Sequence, residues 1–439
     1  MDDRRVVITG LGAVSPLGLS ADAMWKGLLE GRCGIGPITA FDPSGFPCKL
    51  AGQVEPYRIQ EFLPKAYRKA AKLMSRDIEL AVMAADMAMR SSGLVTRAID
   101  PEHVNIDPPR FGINLGAGLI SCDLVEIAPA VAASIVDGGF DIHKWGSEGM
   151  QLVPPLWLLK YLPNMLACHV SIIHDLQGPS NSITSAEVSG ACAVAEGRDV
   201  IARGDADVIL AGGAEAKVNP MVMMSQCLQG RATTCPPEDA QIACRPFDQA
   251  ASGSVFGEAA GLMVLEALDH AVGRGARILA EVLGTGESCS ASARVPGLEP
   301  DGAAVRIAIE KAFEDAGLGP TDIDLIIPHG TAVPYEDQAE AAGIEGAFGV
   351  HIERVPVWPT KSLLSNTGAA AAAIDMIAGV YAIVHGMIPA ARNLDRPREG
   401  CRLQINTRPI ARPFRRVLCC CFTFGGQAAA VIIGRPTGG

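Results

Sequence analysis

Aromatic residues are scarce in this chain, with 12 Phe, 5 Tyr and 4 Trp in 439 residues. Packing is therefore left to Ala, Val and Ile around Gly-rich turns, which the 48 glycines supply. Charge is also sparse, at 19% of residues with a formal net charge of −11, which argues against nucleic acid as a partner. No two cysteines are spaced as CxxC. The thirteen are scattered apart from Cys419-Cys420-Cys421, so neither a metal site nor a disulfide framework is expected. They read instead as small buried hydrophobes in a reducing cytosol. The first residues run straight into a strand and show no signal-peptide pattern, so the expected location is the cytoplasm. No apolar stretch reads as a membrane span: the longest, Gly368 to Val384, is interrupted by Asp375 and suits a buried core helix.

Hydrophobic residues make up 49% of the chain, enough for a large core, and disorder is excluded. The length allows two or three domains, or one large duplicated α/β domain. Arg5 to Gly10 is a β-branched run and reads as a strand, followed by a loop over Gly10–Gly18 and an amphipathic helix over Ala21–Glu30. Phe62 to Arg76 reads as a helix with Pro64 in its first turn. On it Lys65, Arg68, Lys69, Lys72 and Arg76 share one stripe, five cations and no acid. Further helices are expected over Leu80–Gly93 and about Leu124–Val136, with an irregular segment over Asp137–Gln151.

The stretch that organises the chain is Gly178-Pro-Ser-Asn-Ser-Ile-Thr-Ser-Ala-Glu-Val-Ser-Gly190. It reads as the end of a buried strand, a tight turn and the start of a helix reaching about Arg203. A side chain on such a turn projects beside free backbone N–H groups at a helix N-terminus, which favour an anion or an activated nucleophile. Glu187 occupies that place. Its pKa is pulled up by desolvation and down by the helix dipole, and the sequence leaves the sign open. An echo of this arrangement follows. Glu187 opens an apolar helix that ends at Gly204 before a strand and Gly212-Gly213. Asn366 opens another that ends at Gly386, with a later strand leading to Gly425-Gly426. The division implied is 1–266 and 267–439.

The Gly178–Gly190 stretch resembles the active-site elbow of the β-ketoacyl synthases, condensing enzymes of fatty acid and polyketide biosynthesis. Gly178, Pro179, Ser180, Ala186, Ser189 and Gly190 fit that pattern, and Glu187 stands where the family has its acyl-carrying cysteine. Pro328-His329-Gly-Thr331 resembles the family's first histidine motif, with Asp337 and Glu340 at the spacing of its acidic pair. Lys361-Ser-Leu-Leu-Ser-Asn366-Thr-Gly368-Ala369 resembles the second, with Asn366 in place of histidine. Phe422-Thr-Phe424-Gly425-Gly426 resembles the gating loop, with Thr423 replacing a glycine. Leu162-Pro-Asn-Met165 resembles a segment at the family's dimer interface and acyl tunnel.

The resemblance spans about residues 4 to 436. It implies the thiolase-like duplicated five-layer α-β-α-β-α fold, with no cofactor beyond the phosphopantetheine thioester of an acyl carrier protein. It also implies a homodimer or a heterodimer with an active ketosynthase through Tyr161 to Ser180, and carrier docking on the Lys65–Arg76 stripe. Glu187, His329, Lys361 and Asn366 are the implied site, with Phe422, Phe424, Gly425 and Gly426 as its gate. A carboxylate attacking a thioester would have to form an anhydride, which is uphill, so transacylation at Glu187 is not expected. The leading reading is a chain-length-factor-like partner of an active ketosynthase. The alternatives are a malonyl-carrier-protein decarboxylase using His329 and Asn366, or a diverged 3-oxoacyl-carrier-protein synthase.

Overall fold

The computed structural model describes residues 4–290 and 297–436. Its backbone is organised by an eleven-stranded sheet. The strands are β1 (Val6–Val14), β2 (Phe111–Ala117), β3 (Ser180–Ile183), β4 (Val208–Ala216), β5 (Glu258–Ala267), β6 (Ala280–Cys289), β7 (Leu325–Ile327), β8 (Pro356–Val357), β9 (Gln404–Ile405), β10 (Arg416–Phe422) and β11 (Gln427–Gly434). Their lateral order is β9-β8-β7-β10-β11-β6-β1-β5-β4-β2-β3. Without the short edge strand β9, both halves repeat one order from edge to centre: third, second, fourth, fifth, first. The halves meet at a brief antiparallel pairing of β1 with β6, where Val7 faces Glu281 and Ile8 faces Ala280. This shared order is the duplication that the echo in the sequence implied.

Among the helices of the described residues are α1 (Ala21–Leu29), α2 (Arg76–Ser92), α3 (Met165–His174), α4 (Ser189–Ala202), α5 (Ala303–Ala316), α6 (Pro334–Phe348) and α7 (Ala371–His385). The middle layer is α4 and α7. Helix α4 packs on β2 and β4 and reaches β11, while α7 packs on β5 and β10. Helix α7 is apolar nearly all round, with every residue from Ala371 to Val380 buried, as a helix packed between the two halves of the sheet must be. It belongs to the apolar stretch Gly368–His385, which has the length and hydropathy of a membrane span and lies in the protein core. Outside, α2 covers β1 and α5 covers β6 and β11, which completes five layers. The two central helices touch where Gly190 meets the residues leading into α7. A Cβ on Gly190 would lie 2.7 Å from the Ala369 carbonyl oxygen.

The structure corrects several local expectations. Strand β1 does not stop at Gly10 but runs on to Val14. Gly12 is there for packing: a Cβ would come within 1.9 Å of the Ala84 carbonyl of α2. Phe62 to Arg76 is not a helix. It forms short 3-10 turns at Lys65–Tyr67 and Ala70–Leu73, and α2 starts only at Arg76, capped by the Ser75 side chain. The helix over Leu124–Ala133 ends before Val136, and the following segment holds a small hairpin and a helix over Ile142–Ser147. Ser180–Ile183 is a partly exposed edge strand, not a buried one. The cysteines are not uniformly buried: Cys48, Cys244 and Cys419–Cys421 are, the others are partly accessible, and Cys289 is exposed.

The Gly190 contact sets a first expectation. Gly190→Val would force α4 away from the Ala369 backbone and should cost about 1–3 kcal/mol, read as a lower thermal midpoint. A midpoint equal to that of the unaltered protein would show that the two central helices separate freely.

Candidate active site

Glu187 stands on a one-turn 3-10 helix, Ala186–Val188, between β3 and α4. Ala186 has φ 47°, a left-handed conformation that costs a residue with a Cβ and is held by its surroundings. One tether is the Ser189 hydroxyl, which accepts from the Ser185 N–H at 2.8 Å and donates to the Ala117 carbonyl at 3.3 Å. The turn aims the Glu187 carboxylate inward, where the side chain is only 2% exposed.

There it meets Arg231. Arg231 Nη1 donates to Glu187 Oε1 at 3.1 Å and to Gln226 Oε1 at 3.1 Å. Arg231 Nε and Nη2 donate to the two oxygens of Glu336 at 2.7 and 3.3 Å. Beyond Glu187, Lys217 donates to Glu215 at 2.8 Å. Charge thus alternates along Glu215, Lys217, Glu187, Arg231 and Glu336, all of them buried. The Arg231 guanidinium also lies over two aromatic rings, 5.5 Å from the centroid of Phe256 and 5.3 Å from that of Phe424. Desolvation pushes the Glu187 pKa up, but Arg231 and then Lys217 outweigh it, and the net direction is down. Glu187 is therefore an ionised carboxylate with a fixed counter-ion.

His329 follows the end of β7 and is fully buried. Phe422 stands edge-on to its ring at 4.8 Å. Burial first, then the positive charges of Lys361 and Arg231, hold its pKa well below the ordinary value, so the ring is neutral. Its Nδ1 lies 3.4 Å from the Cys421 sulfur, which is also 3.1 Å from the Glu187 carbonyl oxygen. Its Nε2 has no partner among the described residues. Asn366 sits where its segment pairs with Phe256. Its Oδ1 accepts from the Gly368 N–H at 3.1 Å, and its Nδ2 has no partner among the described residues. Lys361 Nζ donates to Asp375 at 2.7 Å, and this pairing holds the ammonium charged against the desolvation that opposes it.

The acidic pair acts through the backbone. Glu340 accepts from the His329 and Gly330 N–H groups at 2.6 and 2.7 Å. Asp337 accepts from the Phe247 and Ala332 N–H groups at 2.7 and 3.1 Å. Burial lifts their pKa values to about 8 and about 7 in spite of these donors. The two carboxyls shape the turn that presents His329. Thr423 tightens the Phe422–Gly426 turn, since its hydroxyl accepts from the Gly425 N–H at 3.0 Å and donates to Gln427.

Glu187, His329, Cys421 and the turn bearing Phe422 and Phe424 thus converge, with Lys361 and Asn366 packed beside them. The cationic stripe is not part of this cluster and is not a helix face. Lys65, Arg68, Lys69 and Lys72 are exposed on turns. Arg76 is committed to Glu258, with two contacts of 2.6 Å. Arg231, Glu336, Lys217 and Glu215 escaped the sequence reading. The available signal was indirect: an ionised Glu187 in a core requires a cation, and nothing in the sequence says which.

Two family profiles together match most of the chain. One, described as "Beta-ketoacyl synthase, N-terminal domain", matches residues 3–271. The other, described as "Beta-ketoacyl synthase, C-terminal domain", matches residues 279–395. The chain is 33% identical over 439 residues to the 3-oxoacyl-[acyl-carrier-protein] synthase 2 of Vibrio cholerae, covering 99% of this chain and 100% of the relative. It is 35% identical over 431 residues to the nodulation protein E of Rhizobium meliloti, covering 98% of each. Among solved structures, the ishigamide ketosynthase/chain length factor superposes with a TM-score of 0.83 at 29% identity, covering 99% of this chain and 100% of that one.

The ion pair sets the expectation for this site. Glu187→Gln keeps the shape and removes the charge, and should destabilise by about 3–5 kcal/mol at neutral pH. Because the folded pKa lies below the ordinary 4.5, the advantage of glutamate is complete above that value and disappears as pH falls through the lowered one. Urea unfolding of both proteins at pH 7 and at acidic pH measures the gap. A gap that does not narrow on acidification would remove Glu187–Arg231 as its source.

Proposed function

The chain belongs to the beta-ketoacyl synthase family, and we propose that within it the protein is a non-condensing subunit of the chain-length-factor kind. In this reading it pairs with an active ketosynthase and shapes the acyl tunnel the two share. The observation that carries the reading is the buried Glu187–Arg231–Glu336 triad, in the place the family resemblance gives to the acyl-carrying cysteine. A cysteine thiolate exchanges one thioester for another of similar energy. A carboxylate would have to form an anhydride, and this one is further stabilised by its guanidinium. Loss of one family histidine to Asn366 points the same way. So does the structural likeness to a ketosynthase/chain length factor.

Pairing is supported by the surface. The edge strand β3 lies at one end of the sheet, and large apolar side chains are exposed on the segments before α3 and after β4, among them Leu156, Leu158, Met221 and Leu228. A homodimer or heterodimer would cover them. The partner in chemistry is an acyl carrier protein, which the name of the Vibrio cholerae relative gives for that enzyme, and it would present its acyl group as a phosphopantetheine thioester. The work would take place in the cytoplasm, where such carriers operate.

A second reading rests on one observation. His329 Nε2 and Asn366 Nδ2 are buried nitrogens without partners, left for a ligand oxygen. They suit decarboxylation of a malonyl thioester. The carboxylate carbon–carbon bond breaks, CO₂ leaves, the electron pair passes to the thioester enolate, and the enolate takes a proton.

Intact-protein mass spectrometry after incubation with acyl-carrier thioesters should show no acyl adduct on this chain alone, while co-expression with its ketosynthase should give a one-to-one complex that condenses. An adduct lost in Glu187→Gln would refute the reading. CO₂ release without an adduct, lost in His329→Ala, would favour the decarboxylase. Glu187→Cys should place a thiol beside Arg231 at a helix N-terminus, with a lowered pKa, and gain acylation but little condensation until Asn366→His is added. For the carrier itself, Lys65→Glu with Lys69→Glu should weaken binding at low salt and flatten its salt dependence. Unchanged affinity in that titration would rule out docking there.

A further inference from the structure

A cavity of about 550 Å³ opens where the two halves of the molecule meet, at the C-terminal end of α7 and therefore far along that helix from Asn366. Its volume is in the range of sites for small organic ligands. The floor is aliphatic, built by Leu11 of β1, Met87 of α2, Leu279 just before β6 and Val384 of α7. The rim carries Arg277 and His385.

An inventory of the polar groups shows what is left for a ligand. The Tyr381 hydroxyl donates to one oxygen of Asp22, which leaves that carboxylate a second acceptor oxygen but no donor. Arg90 is bound to Asp86 at 2.8 Å. The Thr9 hydroxyl donates to Glu266 at 2.8 Å, and that of Ser91 is shared with the Leu11 and Ala88 carbonyls. Among the described residues, Arg277 and His385 alone on this lining remain without a hydrogen bond or ion pair from their charged or polar groups. One wall is rigid: Trp25 lies nearly parallel to Tyr381 and His385, at centroid distances of 5.3 and 5.6 Å.

We propose that this cavity binds an amphipathic monocarboxylate, its acid group on the Arg277 guanidinium and its hydrocarbon chain on the aliphatic floor. A guanidinium offers the two parallel N–H groups a carboxylate accepts. A hydrocarbon floor gives a simple inorganic anion nothing, and the Asp22 carboxylate on the lining repels a dianion more than a monoanion. Free acyl acids of medium length match the size and the polarity. The site is separate from Glu187 and His329, and the inference stands whatever the function of that centre.

The test is calorimetric titration of the full-length protein with decanoate, with decanol and inorganic phosphate as parallel probes. Decanoate should bind saturably at one site, with decanol and phosphate at least about tenfold weaker. Arg277→Glu, an exposed change that leaves the core intact, should weaken decanoate by about tenfold or more without moving the thermal midpoint. Leu279→Phe, which narrows the floor, should weaken it as well. Absence of saturable decanoate binding overturns the proposal, and so does equal affinity in Arg277→Glu or decanol binding as tightly as decanoate. Phosphate that competes with decanoate at equal or higher affinity also overturns it, since the hydrocarbon would then not be what is recognised.

Discussion

Arg231 sits in the core with a carboxylate on either side, and the candidate site is arranged around that arrangement of charge. Removing ions from water costs several kcal/mol each, recovered only when each charge meets its opposite at hydrogen-bond distance. Here Glu187 and Glu336 satisfy the guanidinium, Lys217 adds positive charge behind Glu187, and Glu215 balances Lys217. The consequences spread outward. Glu187 stays ionised. Phe424 of the gate-like turn is held by its face against the guanidinium. The positive charges of Arg231 and Lys361, added to burial, keep His329 neutral.

The duplicated sheet makes such a centre possible. Each half delivers a helix into the middle layer, and the residues leading into both helices arrive at one place: Glu187 ahead of α4, Asn366 ahead of α7. Close approach at Gly190 lets the two meet without a gap. The His329 turn comes from the second half after β7, and Glu340 and Asp337 of α6 hold its backbone N–H groups. Buried carboxyls therefore serve two purposes here. Some balance cations, and others replace the partners that a tight turn denies its own backbone.

Much of this was legible residue by residue. The Glu187 elbow follows from a strand run, a turn and an apolar helix, all written within a dozen residues. The repeat was legible because each half uses the same succession of strand, helix and paired glycines. The helix expected over Phe62–Arg76 failed for an instructive reason. Its periodicity lay in exposed cations, which solvent tolerates in many conformations, and not in a continuous apolar face. The buried residues Leu63 and Met74 anchor the two ends, and the turns between them adapt to α2 and α3.

By itself the sequence determined the elbow, the repeat and the identity of the side chain placed on the elbow, and the fold class was what the resemblance of its motifs to a family implied. The first three depend on local patterns of residues a few positions apart, or on runs repeated once. The tertiary structure alone decided what that side chain is. Arg231 lies 44 positions from Glu187 and 105 from Glu336, so no spacing rule links them. The sign of the Glu187 pKa shift depended on the balance between desolvation and a partner brought in from another loop. The cavity beside Arg277 has the same origin, since its walls come from β1, α2, the segment before β6 and α7. A charge state or a cavity is a property of neighbours in space, and folding chooses those neighbours from anywhere in the chain.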